Sequence, residues 1–143
     1  MVLALAEAEA AGARGEVPVG AVIVDASGNV LSRAGNQTLE LKDPTAHAEL
    51  MAIRWAALAL ESERLIDCDL YVTLEPCAMC AAAISFARLR RVYFGAADEK
   101  MGALENGPRF FNQPTCHHAP DVYGGIGETE AKTMLIDFFK TRR

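Results

Sequence analysis

The sequence lacks any long hydrophobic run, and this excludes one class of protein. Although 51% of the 143 residues are hydrophobic, no stretch approaches the roughly 18 apolar residues that a membrane-spanning helix needs. The apolar start, residues 1–6, has no basic group and runs directly into Glu7 and Glu9, which is not typical of a signal peptide. We therefore expect a cytoplasmic protein that makes no contact with a membrane.

Basic residues are also in deficit. The chain carries 14 Lys and Arg against 19 Asp and Glu, a formal net charge of −5, so non-specific binding to nucleic acid is disfavoured. The deficit belongs to residues 1–84, whereas residues 85–143 have a small basic excess. These later charges predict either a local basic face or ordinary surface scatter. They form two groups, one of Arg88, Arg90 and Arg91 and one of Lys140, Arg142 and Arg143.

No internal repeat, linker or low-complexity segment divides the chain. Its 143 residues suit one domain, and its balance of hydrophobic and charged residues excludes wholesale disorder. We therefore expect a single domain over residues 1–143. Helical and β-branched segments alternate along it, which predicts an α/β fold. The predicted helices cover 3–13, 45–60, 76–86 and 128–141, and the predicted strands cover 17–25, 30–35, 69–74, 91–96 and 121–123.

Three segments carry more specific expectations. The strand, helix and strand within 69–96 predict a right-handed crossover between two parallel strands. Within the helix at 45–60, Arg54 is the only charged side chain among residues 50–60, so we expect burial in the domain or at a subunit contact. The loop at 98–125 is rich in Gly and Pro, and its length predicts a functional role.

Cysteine is scarce, at four residues, but two of the four form Cys77-Ala78-Met79-Cys80. Without an export signal, such a pair predicts a metal or redox site before a disulfide. The spacing puts both sulfurs on the first turn of a helix, whose N-terminus stabilises thiolates. His47, 30 residues before Cys77, completes a set of three ligands for Zn²⁺. Three protein ligands and an open fourth position are typical of catalytic zinc.

Glu49 is the candidate general base of this site. A buried acid on an apolar helix is costly unless it has a partner. Residues two apart on a helix point about 200° apart, so His47 and Glu49 converge only if His47 lies in an irregular first turn or if Glu49 contacts the attacking water. We adopt the second interpretation, in which Glu49 is not a ligand, and Glu49→Ala is expected to nearly abolish turnover while zinc stays bound.

The residues alone also allow a second set of zinc ligands. It combines the two clustered cysteines with a group near residue 117 in a closed, structural zinc site. The protein would then be a structural zinc or RNA-binding module without turnover, and the buried acid at position 49 would have no function. The later group consists of Cys116, His117 and His118.

The motifs resemble the zinc-dependent nucleobase deaminase superfamily, whose signature is H-x-E followed by P-C-x-x-C. Here the signature is His47-Ala48-Glu49 with Pro76-Cys77-Ala78-Met79-Cys80. Further segments are similar to one family within it, the bacterial tRNA-specific adenosine deaminases, and the similarity covers about residues 3–97 and 122–143. Those segments are EVPVGA at 16–21, DPTAHAE at 43–49, YVTLEPC at 71–77 and FGA at 94–96.

This resemblance implies a cytidine-deaminase-like fold of three α/β/α layers with a central mixed five-stranded sheet. It also implies one Zn²⁺ per subunit, no organic cofactor and a homodimer. The implied reaction is hydrolytic deamination of adenosine to inosine at the wobble position, 34, of tRNA(Arg), with the anticodon stem-loop as partner. In that reaction His47, Cys77 and Cys80 would bind zinc, and Glu49 would move protons.

The resemblance further implies a set of substrate contacts. Asn36 would hydrogen-bond the flipped base, and Asp98 would contact the nucleotide backbone. Phe139 would lie with the basic groups at 140, 142 and 143 at a helix end that meets the anticodon loop. The base pocket would be lined by Val17, Ala48 and Leu74.

The sequence departs from the family pattern in two places. Ala97 stands where some relatives have arginine, and residues 103–120 match the pattern weakly. The metal motif is also shared with deaminases of free bases and nucleosides. Guanine, cytosine and cytidine are therefore the alternative substrates.

Overall fold

The structure is a computed structural model that describes residues 1–142. Within them, no helix is both long and apolar enough to cross a membrane. The helices are α1 (Val2–Ala13), α2 (Ala48–Leu60), α3 (Ala78–Ala87) and α4 (Glu128–Lys140), with a short 3-10 turn at Phe110–Asn112. The strands are β1 (Gly20–Val24), β2 (Val30–Gly35), β3 (Asp69–Leu74), β4 (Arg91–Ala96) and β5 (Asp121–Tyr123).

The five strands form one mixed sheet in the order β2-β1-β3-β4-β5. The hairpin partners β1 and β2 are antiparallel, and β1 is also antiparallel to β3. Strands β3 and β4 are parallel, as the strand-helix-strand spacing predicts, and β5 continues the parallel side. The predicted mixed five-stranded sheet is therefore confirmed.

Helices cover both faces of the sheet, which gives the expected three layers. Helices α1 and α4 pack on one face, and α2 and α3 lie together on the other. The first layer is unusually close, because Ala4 and Ala8 are fully buried and face Gly20 of β1. A Cβ atom at Gly20 would lie 2.0 Å from the Ala4 carbonyl oxygen, so only glycine permits this contact.

Several predicted boundaries move by a few residues. Strand β1 begins at Gly20 and not at residue 17, because residues 17–19 form a tight turn. In this turn the Val19 N–H donates a hydrogen bond of 2.8 Å to the Val17 carbonyl. Helices α2 and α3 begin later than predicted because their N-caps, His47 and Cys77, have extended backbone.

Helix α2 is not buried on every side. One face packs on the sheet, but Trp55 is 40% exposed and Leu58 is 75% exposed. The prediction that the whole helix is buried within the domain is therefore wrong. A subunit contact stays the other explanation for its apolar outer face.

Candidate metal centre and active site

The residues of the predicted site lie together at one end of the sheet. Strands β2, β3 and β4 all finish at this end, and the antiparallel β1 starts there. Asn36 follows β2, Pro76 and Cys77 follow Leu74 at the end of β3, and Asp98 lies two residues after β4. Ligands in open α/β sheets bind beyond the carboxyl ends of the strands, so the topology places these residues where a ligand is expected.

The three predicted metal ligands converge. His47 Nδ1 lies 3.6 Å from Cys77 Sγ and 3.6 Å from Cys80 Sγ, and the three donor atoms all lie within 4.8 Å of one another. A tetrahedral zinc ion with ordinary Zn–N and Zn–S bond lengths holds nitrogen and sulfur about 3.6 Å apart. The spacing and the chemistry of the donors therefore fit zinc.

Local backbone geometry explains this convergence. His47 is the N-cap of α2 with φ −71° and ψ 152°, so it lies outside the helix, and the 200° separation expected of two helical residues does not apply. The irregular first turn, which we did not adopt from the sequence, is the arrangement present. Cys77 is the N-cap of α3, and Cys80 lies in its first turn.

The surroundings of the two sulfurs favour one thiolate. The pKa of Cys77 is lowered to about 4 by the hydrogen bond from the Cys80 thiol and by the neighbouring His47. The pKa of Cys80 is raised, first because its proton is shared with Cys77 and second because of burial. The pKa of His47 is also raised, chiefly by its hydrogen bond with Cys77. A cation binding here replaces the shared proton.

Glu49 lies next to the ligands and is not one of the three converging donors. Its side chain is buried at 4% exposure, and Oε2 accepts a hydrogen bond from Cys80 Sγ at 3.4 Å. Burial raises the pKa of Glu49. A carboxyl group with a raised pKa, beside a metal position, is suited to accept and return a proton.

A cleft of about 410 Å³ opens over the ligands. This volume lies in the range of small-molecule sites. His47 and Cys77 form its floor, and the loop after β4 forms much of its wall. The lining residues are Pro44, His47, Cys77, Ala78, Met79, Lys100, Met101, Gly102, Gly107 and Pro108.

The predicted base-binding residues lie near this cleft but are not among its lining residues. Asn36 Oδ1 accepts a hydrogen bond from the Ala48 N–H at 2.9 Å, so the group that Asn36 can offer a base is its Nδ2 donor. Ala48 is fully buried, whereas Val17 and Leu74 are partly exposed. Their contacts with a base stay predictions.

Asp98 holds its own loop in shape. Its Oδ1 accepts hydrogen bonds from the N–H groups of Lys100 and Met101, each at 3.0 Å. The predicted contact with a nucleotide backbone stays a prediction.

The second ligand set is wrong. Cys116 Sγ and Ser85 Oγ both donate to the His118 carbonyl, at 3.1 and 2.7 Å, and His118 Nε2 lies 2.7 Å from the Leu89 carbonyl. Ser85 and Leu89 lie at the C-terminal end of α3, whereas Cys77 and Cys80 lie at its N-terminal end. Cys80 and Ser85 are separated by a helical rise of about 7.5 Å, and the donor atoms that converge with Cys77 and Cys80 among the described residues are those of His47, not those of Cys116 or His118.

Sequence reasoning missed Glu75 as a residue of the site. This carboxylate is 2% exposed and accepts hydrogen bonds from the loop that forms the cleft wall. The signal available was an acid at the end of an apolar strand, directly before Pro76-Cys77. A buried acid needs partners, and the sequence does not show which these are.

The C-terminal end of α4 has the exposure expected of a contact surface. Phe139 is 49% exposed and packs edge-to-face against Phe138 at 5.3 Å between ring centroids. The guanidinium of Arg142 lies 3.8 Å from the Phe138 ring centroid. Arg143, which we group with these residues, lies outside the described residues.

Comparisons with known proteins agree with this geometry. Residues 1–96 match the cytidine and deoxycytidylate deaminase zinc-binding region. A tRNA-specific adenosine deaminase of Agrobacterium fabrum (strain C58 / ATCC 33970) is 62% identical over 143 residues, which cover 100% of this chain and 93% of the relative.

Two solved structures are similar to the fold. One comes from studies of A-to-I editing by tRNA:A34 deaminases at the wobble position of transfer RNA; it is 64% identical with a TM-score of 0.93, covering 94% of this chain and 97% of that one. A guanine deaminase from Nitrosomonas europaea, at 20% identity and a TM-score of 0.81, covers 94% of this chain and 80% of that one and shows the fold alone. The chain belongs to the cytidine and deoxycytidylate deaminase family and, within it, to the tRNA-specific adenosine deaminases.

Proposed function

We propose that this protein deaminates adenosine to inosine at the wobble position, 34, of tRNA(Arg). The observation that carries the substrate assignment is the 62% identity to a tRNA-specific adenosine deaminase over the whole chain. Hydrolytic, zinc-dependent chemistry is supported separately by the convergence of His47, Cys77 and Cys80 beside Glu49. Residues 1–143 act as one deaminase domain, and a tRNA substrate places the enzyme in the cytoplasm.

One zinc ion per subunit would be held by His47 Nδ1, Cys77 Sγ and Cys80 Sγ. Zinc bound there would supply a Lewis acid that lowers the pKa of the attacking water. The chain's own contribution is to fix the three donor atoms at two helix N-termini, where backbone N–H groups stabilise thiolates.

Glu49 moves the protons. Its carboxylate takes one proton from the attacking water and delivers it to the ring nitrogen N1 of adenine as the C6–O bond forms. It then takes the second proton of that water from the hydroxyl group on C6 and delivers it to the amino group, which leaves C6 as ammonia. A C6–O bond thus replaces the C6–N bond, and adenosine and water give inosine and ammonia. The burial that raises the Glu49 pKa brings that pKa nearer the pH at which this transfer operates.

The substrate contacts extend from the base to the anticodon loop. Asn36 Nδ2 donates to the flipped base, Asp98 contacts the nucleotide backbone, and Phe139 with Lys140, Arg142 and Arg143 meets the loop. The position of Arg142, just after α4, supports the contact of this group with the anticodon loop. Its Nη2 atom lies 3.9 Å from the point where a Cβ of Gly15 would be. Gly15 lies two residues before Val17, which with Ala48 and Leu74 lines the base pocket.

The enzyme forms a homodimer through the outer faces of α2 and α3. Large apolar side chains are exposed there, with Leu58 at 75% and Phe86 at 76%, and apolar surface of this kind marks an association site. Light scattering during size-exclusion chromatography should give twice the mass of one chain. Substituting both side chains by Glu should give the monomer mass.

The proposed reaction is tested with zinc-loaded protein and an anticodon stem-loop that carries adenosine 34 of tRNA(Arg). Free adenosine, guanine, cytosine and cytidine are incubated in parallel, and Glu49→Ala is the control. Inosine in the stem-loop, absent in the control, is the expected result. Ammonia from a free base only would keep the zinc chemistry and reject the tRNA substrate.

Salt gives an independent check on the substrate class. Contacts with phosphate release counterions, so activity on the stem-loop should fall steeply as salt rises at subsaturating substrate. An enzyme of free bases should be almost indifferent to salt.

A further inference from the structure

The buried carboxylate of Glu75 is surrounded by hydrogen-bond donors from a single loop. Oε1 accepts from the Asp98 N–H at 3.0 Å and from Asn106 Nδ2 at 2.7 Å. Oε2 accepts from the N–H groups of Leu104, Glu105 and Asn106 at 3.1, 3.0 and 3.1 Å. The side chain therefore closes a loop over residues 98–106 through five hydrogen bonds.

The same loop forms one wall of the cleft. Lys100, Met101 and Gly102 line the cleft together with His47 and Cys77. The loop is tied to the metal-binding segment by the Ala103 N–H, which donates to the Pro76 carbonyl at 2.9 Å, and by a bridge between Cys77 and Gly102. The bonds of Glu75 to the same loop add a side-chain link beside these two backbone links.

Every partner of Glu75 is an N–H group, and this makes the position specific for a carboxylate. A glutamine there has one oxygen and one NH₂ group, so whichever way its amide is turned, the NH₂ meets N–H donors of the loop. The orientation that keeps the oxygen at the Oε2 position leaves the Asp98 N–H without an acceptor. Glutamine should therefore loosen the end of the loop at Asp98.

Gly102 shows how closely the loop approaches this anion. A Cβ at Gly102 would lie 2.5 Å from Glu75 Oε2 and 2.4 Å from the Asp98 carbonyl oxygen. Both atoms are fixed by hydrogen bonds, so they cannot move away without opening the loop.

We propose that Glu75 is a positioning residue of the deaminase, which holds the 98–106 loop as the substrate-side wall of the cleft and thereby sets substrate affinity. The inference rests on the proposed function for the identity of the substrate. The partners of Glu75 are all groups of the 98–106 loop, whereas the proton carrier and the three metal donors lie at the N-terminal ends of α2 and α3. Its loss should therefore act on KM more than on kcat.

The first test is Glu75→Gln in the zinc-loaded enzyme with the stem-loop substrate. We expect KM to rise about tenfold, the size of effect of one lost charge-assisted hydrogen bond, while kcat changes by less than about threefold. Hydrogen exchange should speed up most at the amide of Asp98 and stay unchanged in α2. Zinc content should equal that of the unmodified enzyme.

Asp69→Asn is the matched control. Asp69 is also buried, at 6% exposure, and is held by Arg90 through bonds of 3.0 and 2.8 Å. It begins β3, whereas Glu75 follows the end of β3, so the two carboxylates lie about 20 Å apart. Asp69→Asn should weaken the fold without raising KM. An equal rise in KM in both variants would show that general destabilisation, and not the cleft wall, is responsible.

Gly102→Ala perturbs the same contact from the loop side and leaves the carboxylate in place. We expect a rise in KM with little change in kcat, as for Glu75→Gln. Loss of zinc from either variant would assign Glu75 to support of the metal site and overturn the proposal. Unchanged exchange at Asp98 would also overturn it. If the unmodified enzyme does not deaminate the stem-loop, the proposed function fails, and the exchange data still decide whether Glu75 holds the loop.

Discussion

Two buried glutamates, Glu49 and Glu75, flank the same metal position in opposite environments. Their exposures are 4% and 2%, so burial does not distinguish them. The only side-chain partner of Glu49 within residues 1–142 is the Cys80 thiol, whereas Glu75 accepts five hydrogen bonds from N–H groups. The difference shows that the number of donors, and not depth, decides what a buried acid does.

The pKa directions follow from that count. Burial raises the pKa of Glu49, and the opposing effects of its own backbone N–H, of His47 and of the Cys80 thiol do not cancel this rise. Burial also acts to raise the pKa of Glu75, but the hydrogen bonds from the 98–106 loop more than cancel it, and the pKa is lowered. One carboxyl group can gain and lose a proton, and the other stays charged. Pairs of acids whose environments separate their pKa values in this way are a recurring feature of active sites.

The largest expected effect on activity is that of substituting Glu49. Glu49→Gln keeps the size of the side chain and removes its capacity to carry a proton, so kcat on the stem-loop should fall by about 10²–10⁴-fold. Metal analysis should show that zinc is retained. A Glu49→Gln enzyme that turns over normally would assign proton transfer to another group, and an inactive one that has lost its zinc would assign Glu49 to support of the metal site.

The two glutamates should also differ in the sign of their effect on stability. Glu75→Gln leaves a buried N–H unpaired and should lower the free energy of unfolding by about 1–3 kcal/mol. Glu49→Gln removes a poorly solvated acid and should leave that free energy unchanged or raise it. Denaturant unfolding of the zinc-loaded variants measures both values. Equal destabilisation by the two substitutions would contradict the distinction drawn between them.

Glu16 extends the comparison to a third buried acid and predicts a smaller, pH-dependent effect. It is 2% exposed and accepts from the N–H groups of Leu39 and Glu40 at 3.1 and 2.9 Å. These bonds outweigh the effect of burial and hold the pKa of Glu16 below its ordinary 4.5. Because the folded-state pKa is the lower one, the stabilisation is complete well above pH 4.5 and is lost as pH falls through the folded-state value.

The difference in unfolding free energy between the unmodified protein and Glu16→Gln should therefore be largest at neutral pH and narrow in acid. Urea unfolding of both proteins at several pH values measures it, and zinc release in acid cancels because both proteins share it. A difference that widens on acidification would reverse the predicted sign.

Much of the fold follows from local sequence. Strands β3, β4 and β5 have the predicted bounds, because β-branched and aromatic residues such as those in DLYVTL at 69–74 favour strands. The helix starts shift because His47 and Cys77 are extended N-caps. Neither is among the residue types that ordinarily cap helices, so capping preference gives no warning of this. At these positions their side chains are available as metal ligands and make no capping hydrogen bond to the helices.

The site could be predicted in part. His47, Cys77 and Cys80 carry side chains whose types and spacing point to zinc, so they are visible in the sequence. Glu75 is different, because four of its five bonds come from backbone N–H groups that lie 23 to 31 residues away. Backbone donors leave no mark on residue type. The shape of the 98–106 loop, and with it the cleft wall, therefore could not be read from the residues alone.

The most direct test measures kcat and KM of zinc-loaded Glu49→Gln and Glu75→Gln side by side on the adenosine-34 stem-loop. The account predicts that the first variant loses kcat with KM nearly unchanged, and that the second gains in KM with kcat nearly unchanged. If both variants lose the same kinetic parameter to a similar degree, the division between a proton-carrying and a positioning glutamate is contradicted.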